Sequence, residues 1–322
     1  NLFTNISGDA IEGGTGCSPT ISDNEFMDID VRGIYIEEGD GTNITGNEFY
    51  DISNKVIQIL SGDNVNITDN QIQQGSDNGI TISGNNINIT DNNIQGINGY
   101  GIWIDNTSYS LNISDNIINN TSSSALSIHG CGSNSNNQCS IDNNVIANSG
   151  SYGIRVDNSF SLNVYSNEII NSSSHGIYFY ENNDRANITH NTVLQSQNSG
   201  ISINQDNGDV NISNNTIRYN AISNASYAGI YLSSYNDNSI IENNIIEQNF
   251  GYGLYMGNTN NGFMINSNQI SHNNSSGIYI EDAYSGSYNQ IYSNLISKNG
   301  DYGLRLNTIG YTHIVNNTID GN

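Results

Sequence analysis

The chain has 322 residues, a formal net charge of −24 and only 35% hydrophobic residues. The charge comes from 31 acidic residues against 7 Lys and Arg. It excludes nucleic acid as a partner, because phosphate binding requires a basic surface. A single proline, with abundant Asn, Ser, Gly and Ile, favours strands and turns over helices. No apolar run is long enough to cross a membrane.

A pattern of six residues, I-x-x-N-x-I with occasional Val or Phe at its ends, recurs along the whole chain. A short polar turn separates it from a second element, G-I-x-I, which begins with glycine in ten copies. Alternating apolar residues are typical of strands with one buried face. Asn occupies the fourth position in each of thirteen copies, namely Asn24, Asn47, Asn70, Asn92, Asn116, Asn144, Asn167, Asn191, Asn215, Asn244, Asn268, Asn294 and Asn317.

Repeats of 22 to 29 residues predict a solenoid built from stacked coils. We predict an all-β fold, a single-domain right-handed parallel β-helix of about thirteen coils over residues 1–322, in which the Asn side chains form a ladder. The chain begins within a repeat, which predicts an excerpt or processed part of a longer chain. Neither end carries a capping element, so we also expect end-to-end self-association.

The N-I-[ST]-x-N-x-I … G-I-x-I repeats resemble those of the pectate-lyase-like superfamily, and more narrowly its NosD-like and surface-protein branch. The resemblance covers essentially the whole chain and implies the parallel β-helix fold. That superfamily includes polysaccharide lyases, polygalacturonases, mannuronan epimerases, phage tailspikes and adhesins, so the fold implies no single activity. The catalytic motifs of its polygalacturonases, pectate lyases and epimerases are absent here. Their absence favours a protein that is not an enzyme but leaves enzymatic activity open.

The middle residue of G-I-x-I is expected to point outward. Aromatic rings in register there are suited to holding sugar rings or forming a subunit contact. The structural alternative is that Tyr, a good strand residue, simply stacks on its neighbours. The carbohydrate-binding or interface column predicted from this position consists of Tyr35, Trp103, Tyr178, Tyr231, Tyr255 and Tyr279.

Asp69, Asp91 and Asp115 each precede a ladder Asn in consecutive repeats. Carboxylates about 5 Å apart repel one another unless a cation lies between them. Ca²⁺ is therefore the predicted cofactor, since Asp and turn carbonyls are its usual ligands. The alternative is that these are solvated Asp residues in turns.

Cys131 and Cys139 bracket a polar loop and predict a local disulfide, whereas Cys17 is either free or paired with another chain. Triplets of the form N-I-[ST] predict N-glycosylation of a secreted protein. In an Asn-rich strand repeat such triplets also arise by chance. The predicted acceptors are Asn43, Asn66, Asn88, Asn112, Asn187 and Asn211.

These features predict a non-enzymatic extracellular or cell-surface protein, structural or adhesive, that assembles through its ends into a filament or binds other surface proteins. The alternative is a polysaccharide-binding or polysaccharide-processing β-helix protein that uses the Tyr/Trp column. A minor alternative is ice binding through the row Thr45, Thr68, Thr90 and Ser114.

Overall fold

The computed structural model describes residues 1–132, 139–283 and 288–322, without the side chains of 107 and 108. These residues form two compact units, Asn1–Arg155 (unit 1) and Val156–Asn322 (unit 2). Each unit consists of short parallel strands joined by turns, and the chain visits three sheets in the same order in every coil. Among the described residues no helix is long and apolar enough to span a membrane.

Unit 1 contains three parallel sheets whose strands follow one another every third element. The first sheet consists of β1 (Leu2–Ile6), β4 (Glu25–Ile29), β7 (Glu48–Ile52), β10 (Gln71–Gly75), β13 (Asn93–Ile97), β16 (Ile117–Thr121) and β19 (Val145–Ser149). The second consists of β2 (Ile11–Gly13), β5 (Ile34–Glu38), β8 (Ile57–Ser61), β11 (Ile80–Ile82), β14 (Ile102–Ser108) and β17 (Leu126–Cys131). The third consists of β3 (Thr20–Ser22), β6 (Asn43–Thr45), β9 (Val65–Thr68), β12 (Ile87–Thr90), β15 (Leu111–Ser114) and β18 (Cys139–Asp142).

Unit 2 has the same three-sheet plan, and β20 (Ile154–Asp157) contains the boundary between the units. Its first sheet consists of β22 (Glu168–Ser172), β25 (Thr192–Leu194), β28 (Thr216–Arg218), β31 (Ile245–Glu247), β34 (Gln269–Ser271), β37 (Leu295–Ser297) and β40 (Thr318–Asp320). The second consists of β23 (Ile177–Glu181), β26 (Ile201–Gln205), β29 (Ala228–Leu232), β32 (Tyr252–Met256), β35 (Ile278–Ile280) and β38 (Leu304–Leu306). The third consists of β21 (Leu162–Tyr165), β24 (Asn187–Thr189), β27 (Asn211–Ser213), β30 (Ile240–Glu242), β33 (Met264–Asn266), β36 (Asn289–Tyr292) and β39 (Thr312–Val315).

The core of each unit consists of columns of apolar side chains held in register by the parallel pairing. Ile67 pairs with Ile89 in unit 1, and Ile188 pairs with Ile212 in unit 2; all four are fully buried. Burying one such side chain contributes about 1.5–3 kcal/mol. The alternation of one apolar and one polar residue fixes the register, because a slip of one residue would expose the whole column.

The predicted Asn ladder is confirmed in both units. Each Asn amide nitrogen donates to the side-chain oxygen of the Asn in the next coil, as in Asn47 to Asn70 at 3.0 Å and Asn215 to Asn244 at 3.0 Å. The same oxygen also accepts the backbone N–H of the preceding ladder residue, as between Asn70 and Asn47. These amides are buried, so each bond satisfies a group that water cannot reach.

Unit 2 has two further Asn ladders that the repeat pattern did not predict. One follows the second sheet and contains Asn183, Asn207, Asn236 and Asn260. The other follows the first sheet and contains Asn220, Asn249, Asn273, Asn299 and Asn322, with amide-to-amide distances of 2.8–3.1 Å. In the middle coils of unit 2, where the three ladders overlap, each turn of a coil is therefore hydrogen-bonded to an Asn side chain of the next coil.

Ten of the G-I-x-I elements begin with a glycine, and the described examples leave little room for a side chain. A methyl group on Gly253 would lie 2.5 Å from Cγ2 of Ile270 and 2.6 Å from the carbonyl oxygen of Gly277. The chain must pass this close to the neighbouring coil for the second sheet to pair. So close an approach of one backbone to the next favours glycine at this position.

Candidate functional site

The second sheet of unit 2 presents a row of side chains aligned by strand pairing. In register they are Tyr178, Ser202, Tyr231, Tyr255, Tyr279 and Arg305. The four tyrosines are half-buried, whereas Ser202 is only 3% exposed, because its small side chain lies beneath larger neighbours. Ser202, Thr81 and Ser127 lie in register with the large outward side chains and so on the same face of the sheet, but they are buried.

The rings of this row contact one another. Tyr231 stacks on Tyr255 with ring centroids 4.7 Å apart and planes 12° apart. Tyr255 meets Tyr279 edge to face at 5.5 Å, and the Arg305 guanidinium lies 4.8 Å from the centre of the Tyr279 ring. Such aromatic and cation–π contacts contribute about 0.5–1.5 kcal/mol each. The row is therefore a preorganised surface.

A second aromatic row, which the sequence analysis missed, runs beside the first. Three of its members, His175, Tyr252 and Tyr302, directly precede the glycine of a G-I-x-I element, and the fourth, Tyr227, lies two residues before Gly229. Tyr252 lies 5.6 Å from Tyr255 and 5.4 Å from Tyr279, and Tyr302 lies under Arg305 at 5.5 Å. The recurrent Tyr-Gly dipeptide was the signal in the sequence. We name Tyr227, Tyr231, Tyr252, Tyr255, Tyr279, Tyr302 and Arg305 together the aromatic face.

Two charged groups bound the aromatic face. The Tyr255 hydroxyl donates a hydrogen bond to the Glu281 carboxylate. Burial and this bond raise the pKa of Tyr255, and burial with the Glu281 charge raises the pKa of Tyr231, so both phenols keep their protons. Arg305 is exposed and makes no ion pair with any residue that the structure describes. The face therefore offers hydroxyl donors, one carboxylate acceptor and one free guanidinium.

His175 marks the far end of the second row. Its ring stacks on Tyr178 at 5.1 Å and meets Tyr227 edge-on at 5.5 Å. The Nδ1 atom accepts a hydrogen bond from the backbone N–H of Ser199 at 3.1 Å. Burial lowers the pKa of His175 to about 4, with the Ser199 bond opposing the shift. The imidazole is therefore neutral at pH 7.

The two predicted aromatic residues of unit 1 do not continue such a surface. Tyr35 and Trp103 are separated in the register by Gln58 and Thr81. The Arg32 guanidinium covers Tyr35 at 3.6 Å and is itself paired with Asp9 at 2.7 Å. Trp103 contacts Tyr100 at 5.7 Å. In unit 1 the column is thus two separate local clusters.

The predicted Ca²⁺ ligands Asp69, Asp91 and Asp115 lie in successive turns of unit 1. All three are exposed, with φ between 57° and 59°, a conformation that Asp and Asn adopt more readily than most residues. Within the described residues no group of three His, Cys, Asp or Glu side chains is placed to hold a metal. Calcium binding there stays a prediction.

The predicted sequon asparagines form ladders of their own on the outer side of the third sheet. In unit 1 the amide nitrogens of Asn66, Asn88 and Asn112 each donate to the side-chain oxygen of the preceding asparagine, at 2.7–2.9 Å. In unit 2 Asn187 donates to Asn163 and Asn211 donates to Asn187, at 3.1 and 3.2 Å. Beside the first of these ladders, the hydroxyl of Thr68 donates to that of Thr45 at 3.1 Å.

The cysteines behave as two kinds of residue. Cys131 and Cys139 are joined by a disulfide with Cα atoms 6.3 Å apart, and both are buried. Residues 133–138, the greater part of the loop between them, lie outside the described residues. Cys17 is free and half-buried.

Comparison with known proteins identifies the fold. The family described as "Right handed beta helix region" matches residues 1–118 and 78–233, and the family described as "Periplasmic copper-binding protein (NosD)" matches residues 210–322. Both matches agree with the predicted resemblance and with a right-handed parallel β-helix. No curated protein matches the chain significantly.

Solved structures of similar fold are remote in sequence. The periplasmic alginate epimerase AlgG is 14% identical with a TM-score of 0.55, over 89% of this chain and 76% of that one. The A-module of a mannuronan C-5 epimerase from Azotobacter vinelandii is 14% identical with a TM-score of 0.46, over 100% of this chain and 87% of that one. At this identity the likeness shows the fold alone.

The description of the second family, which matches residues 210–322, names copper. Copper favours imidazole, thiolate and thioether ligands. His272 and His313 are not part of any metal-holding group among the described residues, and the Met264 sulfur already accepts a hydrogen bond from the Tyr292 hydroxyl. The described residues therefore do not fit a copper site, and no copper chemistry is assigned.

Proposed function

Because the chain belongs to the right handed beta helix family, we propose that it binds a polysaccharide on the aromatic face of unit 2. The observation that carries the proposal is the continuous contact of Tyr231, Tyr255 and Tyr279 with one another and with Arg305. These rings lie on the outer side of a sheet whose inner side is fully apolar. They are half-exposed, so they remain available to a ligand.

The chemistry of the face suits a chain of sugars. Tyrosine combines a large rigid apolar body with a hydroxyl that donates and accepts hydrogen bonds. The Glu281 carboxylate adds an acceptor for sugar hydroxyls, and Arg305 provides a planar fork that matches the carboxylate of an acidic sugar. A polymer laid along the strand-stacking direction meets the same type of contact in successive coils.

The net charge of −24 determines how salt affects the binding of an acidic polymer. Long-range repulsion opposes its approach, and salt screens that repulsion within about 10 Å at 0.1 M. Arg305 attracts one carboxylate at short range, where screening is weaker. We therefore expect a polyuronate to bind more tightly at 150 mM than at 10 mM salt, and a neutral glucan to be insensitive to salt.

The proteins of similar fold support polysaccharide binding over a structural or adhesive role. AlgG is an alginate epimerase and therefore acts on a polysaccharide, and it is periplasmic, as is the NosD protein. Both support an envelope or extracellular location for this chain. Adhesion, filament formation and end-to-end association stay predictions, since no described contact favours them over carbohydrate binding.

The test is calorimetric titration of the folded protein with a polyuronate and with a neutral β-glucan. Tyr255→Ala and Tyr279→Ala are each expected to weaken binding about tenfold, which corresponds to about 1.4 kcal/mol. Arg305→Gln is expected to weaken polyuronate binding alone. Tyr165→Ala, which removes an exposed tyrosine from the third sheet of the same unit, is the matched control. Equal affinity in the Tyr279→Ala variant and the control would refute the proposal.

A further inference from the structure

One acceptor triplet for N-glycosylation lies wholly in an exposed loop. Asn224-Ala225-Ser226 has the Asn-x-Ser pattern and lies in the loop between β28 and β29. All three residues are exposed, and none belongs to a strand. Among the triplets in the described parts of the chain, it alone combines these two properties.

The loop is held in one shape by hydrogen bonds that leave the acceptor nitrogen free. The side-chain oxygen of Asn224 accepts the backbone N–H of Ser226 at 2.9 Å, and its backbone carbonyl accepts the N–H of Tyr227 at 3.1 Å. At the start of the loop the Ser223 hydroxyl donates to the Asn198 side chain at 2.8 Å. The Asn224 Nδ2 atom donates to no residue that the structure describes. Because the residue is exposed, this nitrogen is accessible to solvent.

The ladder triplets differ on every count. Their asparagines lie within strands, and the Nδ2 atoms of Asn66, Asn88 and Asn112 are already donors at 2.7–2.9 Å. Neighbouring acceptors in register are about 4.8 Å apart, which is too close for each to carry a sugar ring. The strands that carry the ladder asparagines are paired with the neighbouring coils, so they cannot enter a transferase as free extended peptides.

We infer that Asn224 is the acceptor for N-linked glycosylation of the folded chain. In this reaction the Asn224 Nδ2 attacks the anomeric carbon of a lipid-pyrophosphate-linked oligosaccharide. The new N–C bond replaces the C–O bond to the phosphate, the lipid pyrophosphate leaves, and Nδ2 gives up one proton. The added glycan extends from the exposed loop beside Tyr227, at the edge of the aromatic face. The inference stands independently of carbohydrate binding by that face.

The test uses folded protein from a host without N-glycosylation, incubated with a purified oligosaccharyltransferase and its lipid-linked donor. Peptide mass spectrometry is expected to find one glycan, on the peptide that contains Asn224. Asn224→Gln and Ser226→Ala should each abolish it, Ser226→Thr should retain it, and Asn211→Gln should leave it unchanged.

A synthetic peptide of residues 221–229 serves as the activity control. If the enzyme glycosylates this peptide but leaves Asn224 of the folded protein unmodified, the inference is overturned. It is also overturned if the ladder peptides of the folded protein carry the glycan. Urea unfolding of the Asn224→Gln and Ser226→Ala variants should match the wild type, because the loop is exposed.

Discussion

Units 1 and 2 stabilise the turns of their coils in different ways. After the second sheet, unit 1 turns on Gly39, Gly62 and Gly84, where unit 2 has the buried ladder that begins at Asn183. At the end of the first-sheet strands, unit 1 buries Ile29, Ile52 and Ile97, where unit 2 has the ladder that begins at Asn220. A turn can therefore be fixed by the absence of a side chain, by apolar packing or by an amide that satisfies its own hydrogen bonds.

The first ladder is common to both units, so its loss should be equally severe in each. Asn70→Ala in unit 1 and Asn244→Ala in unit 2 remove a buried amide that joins two coils. Each leaves neighbouring donors and acceptors unpaired, at an expected cost of about 3–5 kcal/mol. Urea unfolding with hydrogen exchange of each unit measures the loss. A loss below about 1 kcal/mol in either unit would show that the ladder does not support the fold.

The glycine turns of unit 1 should tolerate no side chain. A methyl group on Gly84 would lie 1.9 Å from the carbonyl oxygen of Gly62, and its φ of 139° favours glycine. Gly84→Ala is expected to destabilise unit 1 by about 2–4 kcal/mol. Gly14→Ala is the control, because nothing lies within 4 Å of its added methyl group. Similar unfolding midpoints for the two variants would disprove the steric argument.

Acid should weaken unit 2 before unit 1. Burial lowers the pKa of His175 from 6.5 to about 4, so between these values the unfolded chain binds a proton that the folded chain excludes. The stability present above pH 6.5 is thus lost as the pH falls, by about 2 kcal/mol at pH 5. In unit 1, burial raises the pKa of Asp142, which favours the folded state as its carboxyl protonates.

Hydrogen exchange at pH 7 and pH 5 checks this difference. Amides around His175 should exchange faster at pH 5 after correction for intrinsic rates, whereas those around Asp142 should not. In a His175→Gln variant the pH dependence around residue 175 should largely disappear. If it persists unchanged, a different group is responsible.

The smallest expected effect is a gain in the stability of unit 2. Ser196 lies one coil before the ladder that begins at Asn220, and its buried hydroxyl has no hydrogen-bond partner among the described residues. Ser196→Asn should extend the ladder by one amide and stabilise unit 2 by about 1 kcal/mol. Ser196→Ala should be nearly neutral, since it removes an unpaired group. A destabilised Ser196→Asn variant would show that the space at this turn is too small.

The structural features that recur in every coil could be predicted from the sequence. The I-x-x-N-x-I element defined the first ladder and the core, and the G-I-x-I element located the close backbone approach at residues such as Gly253. Strict periodicity makes such positions recognisable in the sequence, because the same residue type is required at the same place in thirteen repeats. The fold class was therefore predictable from the sequence alone.

What occurs in only part of the chain was harder to predict. The ladders of Asn183 and Asn220 occur only in unit 2, where Asn is so common that a partial column does not stand out. The row of Tyr227 and Tyr252 was not predictable from the strand pattern, because these residues lie before the strand's apolar alternation and at different distances from its glycine. Burial of His175 depends on Tyr178 and Tyr227 folding around it, and no local pattern encodes that arrangement.

The asparagine ladders also have a direction. In the first ladder, each amide nitrogen donates to the amide oxygen of the next coil and also to a backbone carbonyl of the preceding coil, as Asn47 does to Asn70 and Ile21. The amide-to-amide bonds of a column therefore run in one direction. On the outer side of the third sheet the order is reversed, because Asn66 donates back to Asn43 and Asn88 back to Asn66. Aligned amides polarise one another, so a column behaves as one electrostatic object. In both units, therefore, an inner column whose amide-to-amide bonds run toward the next coil stands opposite an outer column whose bonds run back toward the preceding coil.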